Sequence, residues 1–221
     1  MGGRSHLSRH LPTVTSPFRR HARCRTRSTQ GISIQRKLRS FGFAAVGEEV
    51  QIAKNCSIHQ LGNIRIGDGV RIDGFSTIVA SGPLVIGRYV HIHTSVVIGS
   101  RGGITIGDFC GISHNCQLLS ASDDFRGAWM TNDNLFAGCT RPKVAPIVIG
   151  RHVPVRVGST ILPGISIGEG AAICAHSLVT RDMPDWMMCS GVPARPRVAR
   201  RRTLLELERK FIPPLGSPTG A

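Results

Sequence analysis

Aliphatic residues recur every six positions along most of this chain, and that period constrains its fold more than any other feature. Three residues per block keep it: Ile66, Ile72 and Ile78, then Ile86, Ile92 and Ile98, then Ile106, Ile112 and Leu118. The blocks open on similar steps, "VGEEV" at Val46, "IGDGV" at Ile66, "IGRYV" at Ile86 and "IGDFC" at Ile106, each 20 residues after the last. Two extra residues per block fall at one corner, in "LGNIR", "SGPLV" and "RGGIT". After an interruption the pattern resumes at Ile149, Val155, Ile161, Ile167, Ile173 and Val179, now 18 residues per three steps. A six-residue period matches neither a 3.6-residue helix nor simple strand alternation. It matches three short strands per turn joined by tight corners, the repeat of a solenoid. The expected fold is therefore all-β, a parallel β-helix over residues 41–197, with a long loop insertion over 124–146.

The hexad also assigns side chains. The first position points inward, and so does the fifth, which favours small residues such as Val70, Ser76, Val90 and Val96. Cys56, Cys110 and Cys116 all fall on the fifth position and read as core fillers. The chain holds seven cysteines, an odd number, without a C-x-x-C pair, which suits reduced thiols in the cytoplasm.

Charge is confined to the ends. The formal net charge is +15, but residues 1–47 carry ten Lys or Arg and no acid. Residues 195–210 carry seven basic residues against Glu206 and Glu208, which leaves 11 basic and 11 acidic residues over Glu48–Ala194. A balanced domain with basic ends does not imply a nucleic-acid-reading surface. Residues 1–40 form a basic, apolar-poor extension that cannot offset its own ordering entropy, so disorder is expected there. Its arginine- and serine-rich composition also suits a transit peptide or an over-extended start. No apolar run approaches the ~20 residues of a membrane-spanning helix. Residues 198–221 are expected to form a short helix from Val198 to Phe211, capping the open end of the stack, and a tail.

The C-terminal run "VGSTILPGISIGEGAAICAHSLVTRDMP", followed by "GVPARP", resembles the hexapeptide-repeat acyltransferases. The likeness covers roughly Val46–Arg200 and is strongest in this run, which is similar to the end of maltose and galactoside O-acetyltransferases and xenobiotic acetyltransferases; the aspartate pair of "SASDDF" is similar to polysaccharide-associated members. It implies a left-handed β-helix, a homotrimer with active sites in clefts between neighbours, and acetyl-CoA as acyl donor. Carried over, it places the cofactor along Gly158, Ser159, Ala175, Ser177, Thr180 and Arg181, with Arg195 near the nucleotide end. Arg181 and Arg195 suit phosphate oxygens through their guanidinium forks. The chain departs from the family where Pro154, Val155 and Arg156 replace a Trp-Ile-Gly. It departs again where Cys174, Ala175, His176 and Ser177 replace a Gly-Ala-Gly-Ser.

A further departure concerns the general base. Maltose and galactoside relatives carry a histidine just before the loop insertion, at the position held here by Asp123 in "SASDDF". A free aspartate is about 3.5 kcal/mol less basic than histidine, a poor base for a hydroxyl acceptor. "VHIHT" supplies imidazoles instead: His91 and His93 flank inward Ile92 and share one outer face of a strand. The expected arrangement has His93 or His91 as base, oriented by Asp123 or Asp124 across a subunit interface. Asp123 acting directly is the alternative, best suited to an amine acceptor. Asp124, Trp129 and Asn132 in the insertion are expected to contact the acceptor, a saccharide or sugar conjugate, with O-acetylation favoured over N-acetylation. Two other readings stay open. One is a zinc enzyme like the β-helical carbonic anhydrases, with His91, His93 and His114 as ligands; the other is a non-enzymatic scaffold. The acyltransferase reading needs no metal.

Overall fold

The computed structural model describes Leu38 and residues 40–212 except 133, 135 and 137. The extension expected over 1–40 lies outside the described residues save Leu38 and Ser40, as does the tail beyond 212. The solenoid is present, with about seven turns. Its first face stacks Ala45–Val46, Ile64–Ile66, Leu84–Ile86, Ile104–Ile106, Ile147–Ile149 and Ser166–Ile167 in parallel. The second face stacks Gln51–Ile52, Arg71–Ile72, His91–Ile92, Gly111–Ile112, Pro154–Val155 and Ala172–Ile173. It ends in the hairpin Met187–Gly191 and Ala194–Ala199. The third face runs from Ser57–His59 through Thr77–Val79, Val97–Gly99, Gln117–Leu119 and Thr160–Ile161 to Leu178–Val179.

Register follows the hexad. On the second face Ile72, Ile92, Ile112, Val155 and Ile173 pair in one column, each no more than 2% exposed. Cys110 and Cys116 are buried as the repeat requires, and their thiols donate to the carbonyls of Gly150 and Arg156. Burial pushes the Cys110 thiol up to about 12, so it stays protonated.

Corners carry a feature that the hexad does not announce. At the first two corners of most turns the fourth position takes a left-handed backbone, even where the residue is Tyr89, Phe109, His152, His176 or Trp186. Such residues cost about 1–3 kcal/mol each in backbone strain. Two contacts offset the cost. The N–H of each donates to the preceding coil, as from Tyr89 to Asp68 and from Phe109 to Arg88. The rings also stack along the corner, Tyr89 on Phe109 at 5.4 Å and Phe109 on His152 at 4.9 Å. Under Tyr89, His176 and Trp186 the neighbouring coil carries glycine instead, at Gly69, Gly158 and Gly170. A Cβ on Gly170, at φ +65°, would lie 2.4 Å from the Trp186 ring. Gly170→Ala is therefore expected to lower the thermal midpoint, reversing the usual about 0.4–1 kcal/mol gain of Gly-to-Ala replacement. Differential scanning calorimetry checks the sign.

The insertion is tied at its neck. Ala121–Ser122 pairs antiparallel with Lys143–Val144, and the N–H of Ala145 donates to the Ser120 carbonyl at 3.1 Å. Ile147 then resumes the stack beside Ile104.

The C-terminus departs from expectation. After Met183, Met187–Gly191 and Ala194–Ala199 make an antiparallel hairpin that closes the edge of the second face. The helix spans Leu204–Phe211, starting later than Val198, and it packs along the flank of the coils instead of over their end. Electrostatics accounts for the later start. Arg200, Arg201 and Arg202 would sit unfavourably in a first helical turn, whereas the observed start puts Glu206 there and Arg209 and Lys210 in the last turn. Arg200 is used elsewhere, donating to the carbonyls of His152 and Gly170 at 2.7 and 2.9 Å. Glu208 docks the helix by accepting from His152 at 2.6 Å and pairing with Arg151. Among the described residues no helix is long and apolar enough to cross a membrane.

Candidate active site

The two histidines of "VHIHT" project from the second face as expected, and the repeat puts chemistry above and below them. Arg71 pairs with His91 on the adjacent strand, so Asp73 lies one coil below His93. Gly111 pairs with His91 on the other side, which brings Ser113 one coil above His93. His91 Nε2 lies 2.8 Å from Asp73 Oδ2, and His93 Nδ1 lies 3.9 Å from the same oxygen. Arg71 Nε donates to the other carboxylate oxygen at 2.7 Å. The His91 and His93 ring centres are 3.8 Å apart, and that of His114 is 4.8 Å from His93. Asp73 and Ser113 were not singled out from the sequence, although the 20-residue block places both in register with His93.

Burial disfavours protonated His93, and the like charges of His91, His114 and Arg71 add to it. Its pKa therefore lies below the ordinary histidine value, despite the Asp73 carboxylate. A neutral imidazole at neutral pH is a competent proton acceptor. Burial acts on Asp73 in the opposite sense, but the hydrogen bonds and charges of Arg71 and His91 outweigh it and hold the carboxyl below its usual range. Both groups bind fewer protons folded than unfolded, so their contribution to stability is present above their unfolded pKa values and is lost on acidification. For His93 that loss begins as pH falls through 6.5, and for Asp73 as it falls through 3.8. Thermal midpoints measured from pH 7 to pH 5 are expected to fall less steeply in His93→Asn than in the parent; parallel curves would contradict this.

Neither aspartate of "SASDDF" reaches these histidines within the chain. Asp123 leaves the third face and lines a depression of about 260 Å³ with Ser122, Arg101 and Pro142. Its side chain makes no hydrogen bond or ion pair among the described residues. Asp124 folds the loop: its carboxylate accepts from the N–H groups of Arg126, Ala128 and Trp129, the first-named bond doing most to hold its pKa down. Asp124, Trp129 and Asn132, all expected at the acceptor, do converge on one concavity of about 510 Å³ in the insertion. The Arg141 guanidinium lies over the Trp129 ring there.

The expected cofactor positions divide by side-chain direction. Ser159 and Ser177 occupy fifth hexad positions and are buried, both hydroxyls donating to the Cys174 carbonyl at 2.9 and 2.8 Å. Their hydroxyls thus serve the core, and only their backbone remains for a ligand. Ala175, Thr180 and Arg181 are exposed on the same coils. Gly158, at φ +69°, lies under His176, whose ring nitrogen would sit 2.5 Å from any Cβ there. Arg195 is half-buried and donates to the Ala194 carbonyl at 2.8 Å.

No family model matches the chain. It is 36% identical over 178 residues to a dTDP-4-amino-4,6-dideoxy-D-glucose acyltransferase of Escherichia coli, covering 80% of this chain and 93% of that protein. It is 30% identical over 110 residues to the galactoside O-acetyltransferase of Escherichia coli, covering 50% and 51%. Among solved structures it resembles AntD, an N-acyltransferase from Bacillus cereus, in complex with dTDP and 3-hydroxybutyryl-CoA. The TM-score is 0.79 at 36% identity, covering 82% of this chain and 96% of AntD. A maltose O-acetyltransferase of Clostridium difficile, at 24% identity and a TM-score of 0.51, shares the fold. Repeat, coil architecture and relatives agree, and the chain belongs to the hexapeptide-repeat, left-handed β-helix acyltransferases.

Proposed function

We propose that this protein transfers an acyl group from a coenzyme A thioester to the amino group of a nucleotide-linked amino sugar. The observation that carries this reading is its likeness, over nearly their whole length, to two acyltransferases of that kind. It moves the acceptor from the hydroxyl favoured by sequence to an amine, and it gives the missing histidine at Asp123 a reason. A sugar amine has a neutral form that attacks a thioester without a strong base; a hydroxyl does not.

One spacing supports the site. Solved structures of AntD include variants replacing a serine and, ten positions later, an aspartate. Ser113 is the only serine of this chain followed ten positions later by an aspartate, and that aspartate is Asp123. Ser113 stands on the second face with His93, whereas Asp123 stands beyond the third. Two copies set face against face would bring them together, which supports a homotrimer with the site in the cleft between copies.

In that cleft Asp123 receives the sugar amine and orients the His93 imidazole. The amine nitrogen attacks the thioester carbonyl carbon while His93 takes its proton. The carbon–sulfur bond then breaks, the leaving sulfur takes the proton held by His93 so that coenzyme A departs as thiol, and the acyl group remains as an amide. Ser113 is placed to donate to the developing oxyanion. Ala175, Thr180, Arg181 and Arg195, with the backbone at Gly158, Ser159 and Ser177, form the donor side, and Trp129 and Asn132 the acceptor side. Acetyl-CoA is the expected donor and the cytoplasm the expected place of action. Calorimetric titration of acetyl-CoA is expected to show one saturable site per chain. A folded protein that binds none would mean that His176 over Gly158 has closed the groove, and the reading would fall.

A further inference from the structure

We infer that Asp73, His91 and His93 form a divalent transition-metal site, independently of the acyl-transfer reading. The sequence offered His91, His93 and His114 as a metal set; the structure replaces the last with a carboxylate from the coil below. One donor atom from each residue converges, all within 4.8 Å of one another, and Asp73 Oδ2 lies 2.8 Å from His91 Nε2 and 3.9 Å from His93 Nδ1. Tetrahedral zinc with bonds of about 2.0–2.1 Å wants donors about 3.4 Å apart. The 2.8 Å pair must open slightly and the wider separation close, which side-chain rotation supplies on a rigid strand pair.

Three further features point to a cation. His91 and His93 alternate around buried Ile92, so the backbone fixes both imidazoles on one face before any ion arrives. Arg71 binds Asp73 through Oδ1 alone, which orients the carboxylate and leaves Oδ2 for the ion, as outer partners of metal ligands do. Its positive charge opposes binding, and the carboxylate offsets that. All three side chains are partly open to solvent, giving an entry path and room for a water or His114 at the fourth position. Two nitrogens and one oxygen select zinc, cobalt, nickel or copper over magnesium or calcium. Binding replaces the proton shared by His91 and Asp73 and occupies the lone pair of His93. A bound ion therefore excludes His93 from proton transfer.

Titration of the chelator-stripped full chain with Zn²⁺ alone, by calorimetry, tests the site, with Co²⁺ as a spectroscopic probe. One ion per chain is expected, together with the intense visible absorption of four-coordinate cobalt. Asp73→Asn and His93→Asn are each expected to weaken binding beyond the about 10- to 100-fold typical of losing an outer partner. Circular dichroism and thermal melts confirm that the variants are folded. Absence of saturable binding by folded protein would overturn the inference. So would undiminished binding in either variant, which would put the ion at other histidines, such as His6, His10 and His21 of the basic extension.

Discussion

Replacing Asp123 with asparagine is expected to lower kcat/KM for the amino-sugar acceptor by about 10²- to 10⁴-fold, the range for losing a positioned group in proton transfer. The loss is expected with acetyl-CoA affinity unchanged, because Asp123 lies on the third-face side of the insertion neck, away from the coils that carry Ala175 and Thr180. His93→Ala is expected to fall in the same range. Their combination tests the interface directly. Within one chain these residues occupy different faces, so the proposed site takes His93 from one copy and Asp123 from another. Mixing the two inactive variants, unfolded together and reassembled, should restore about a quarter of the sites by random association around a closed ring. A site contained in one chain would recover nothing. Steady-state rates of the mixture against each variant alone give the answer.

The second large effect concerns the core. Ile112→Ala is expected to destabilise the protein by about 2–5 kcal/mol, the cost of truncating a fully buried aliphatic where the cavity cannot collapse. Ile112 is fully buried, and its strand is held between Ile92 and Val155 by inter-coil hydrogen bonds, so the backbone has little freedom to close the gap. Its position adds a local consequence. Ser113 follows immediately and His93 follows Ile92 in the adjacent column, so a shift at Ile112 moves the site as well. Denaturant unfolding measures the first effect. A loss well under 1 kcal/mol would contradict this packing account.

The six-residue period made the coil direction, the inward column and the core cysteines Cys110 and Cys116 legible from sequence, because a solenoid repeats one local solution; Cys56, also expected inside, is only partly buried against the core. The same period held more than was first read from it. Asp73, His93 and Ser113 are each 20 residues apart, so counting back one block from "VHIHT" would have found the carboxylate that pairs with the imidazoles. Left-handed corners at Tyr89, Phe109 and His176 were not legible, since aromatic residues at such angles gain stability only from the ring or hydrogen bond of the neighbouring coil. The burial of Ser159 and Ser177 was available from the fifth hexad position but was masked by the family motif. The helix start was misplaced because the apolar pattern of Val198–Phe211 ignores the charge of Arg200, Arg201 and Arg202 at a helix N-terminus. A site shared between copies, as proposed for His93 and Asp123, lies beyond what one chain specifies locally.

One reaction tests acyl transfer to an amino sugar most directly. The full chain is incubated with acetyl-CoA and dTDP-4-amino-4,6-dideoxyglucose, with the dTDP-linked sugar lacking the amine run in parallel; free thiol and product mass are followed together. Stoichiometric thiol release with one acetyl group gained by the amino sugar, and none by the sugar without the amine, is the predicted result. Equal acylation of both sugars, or thiol release without acylated sugar from folded protein that binds acetyl-CoA, would contradict it.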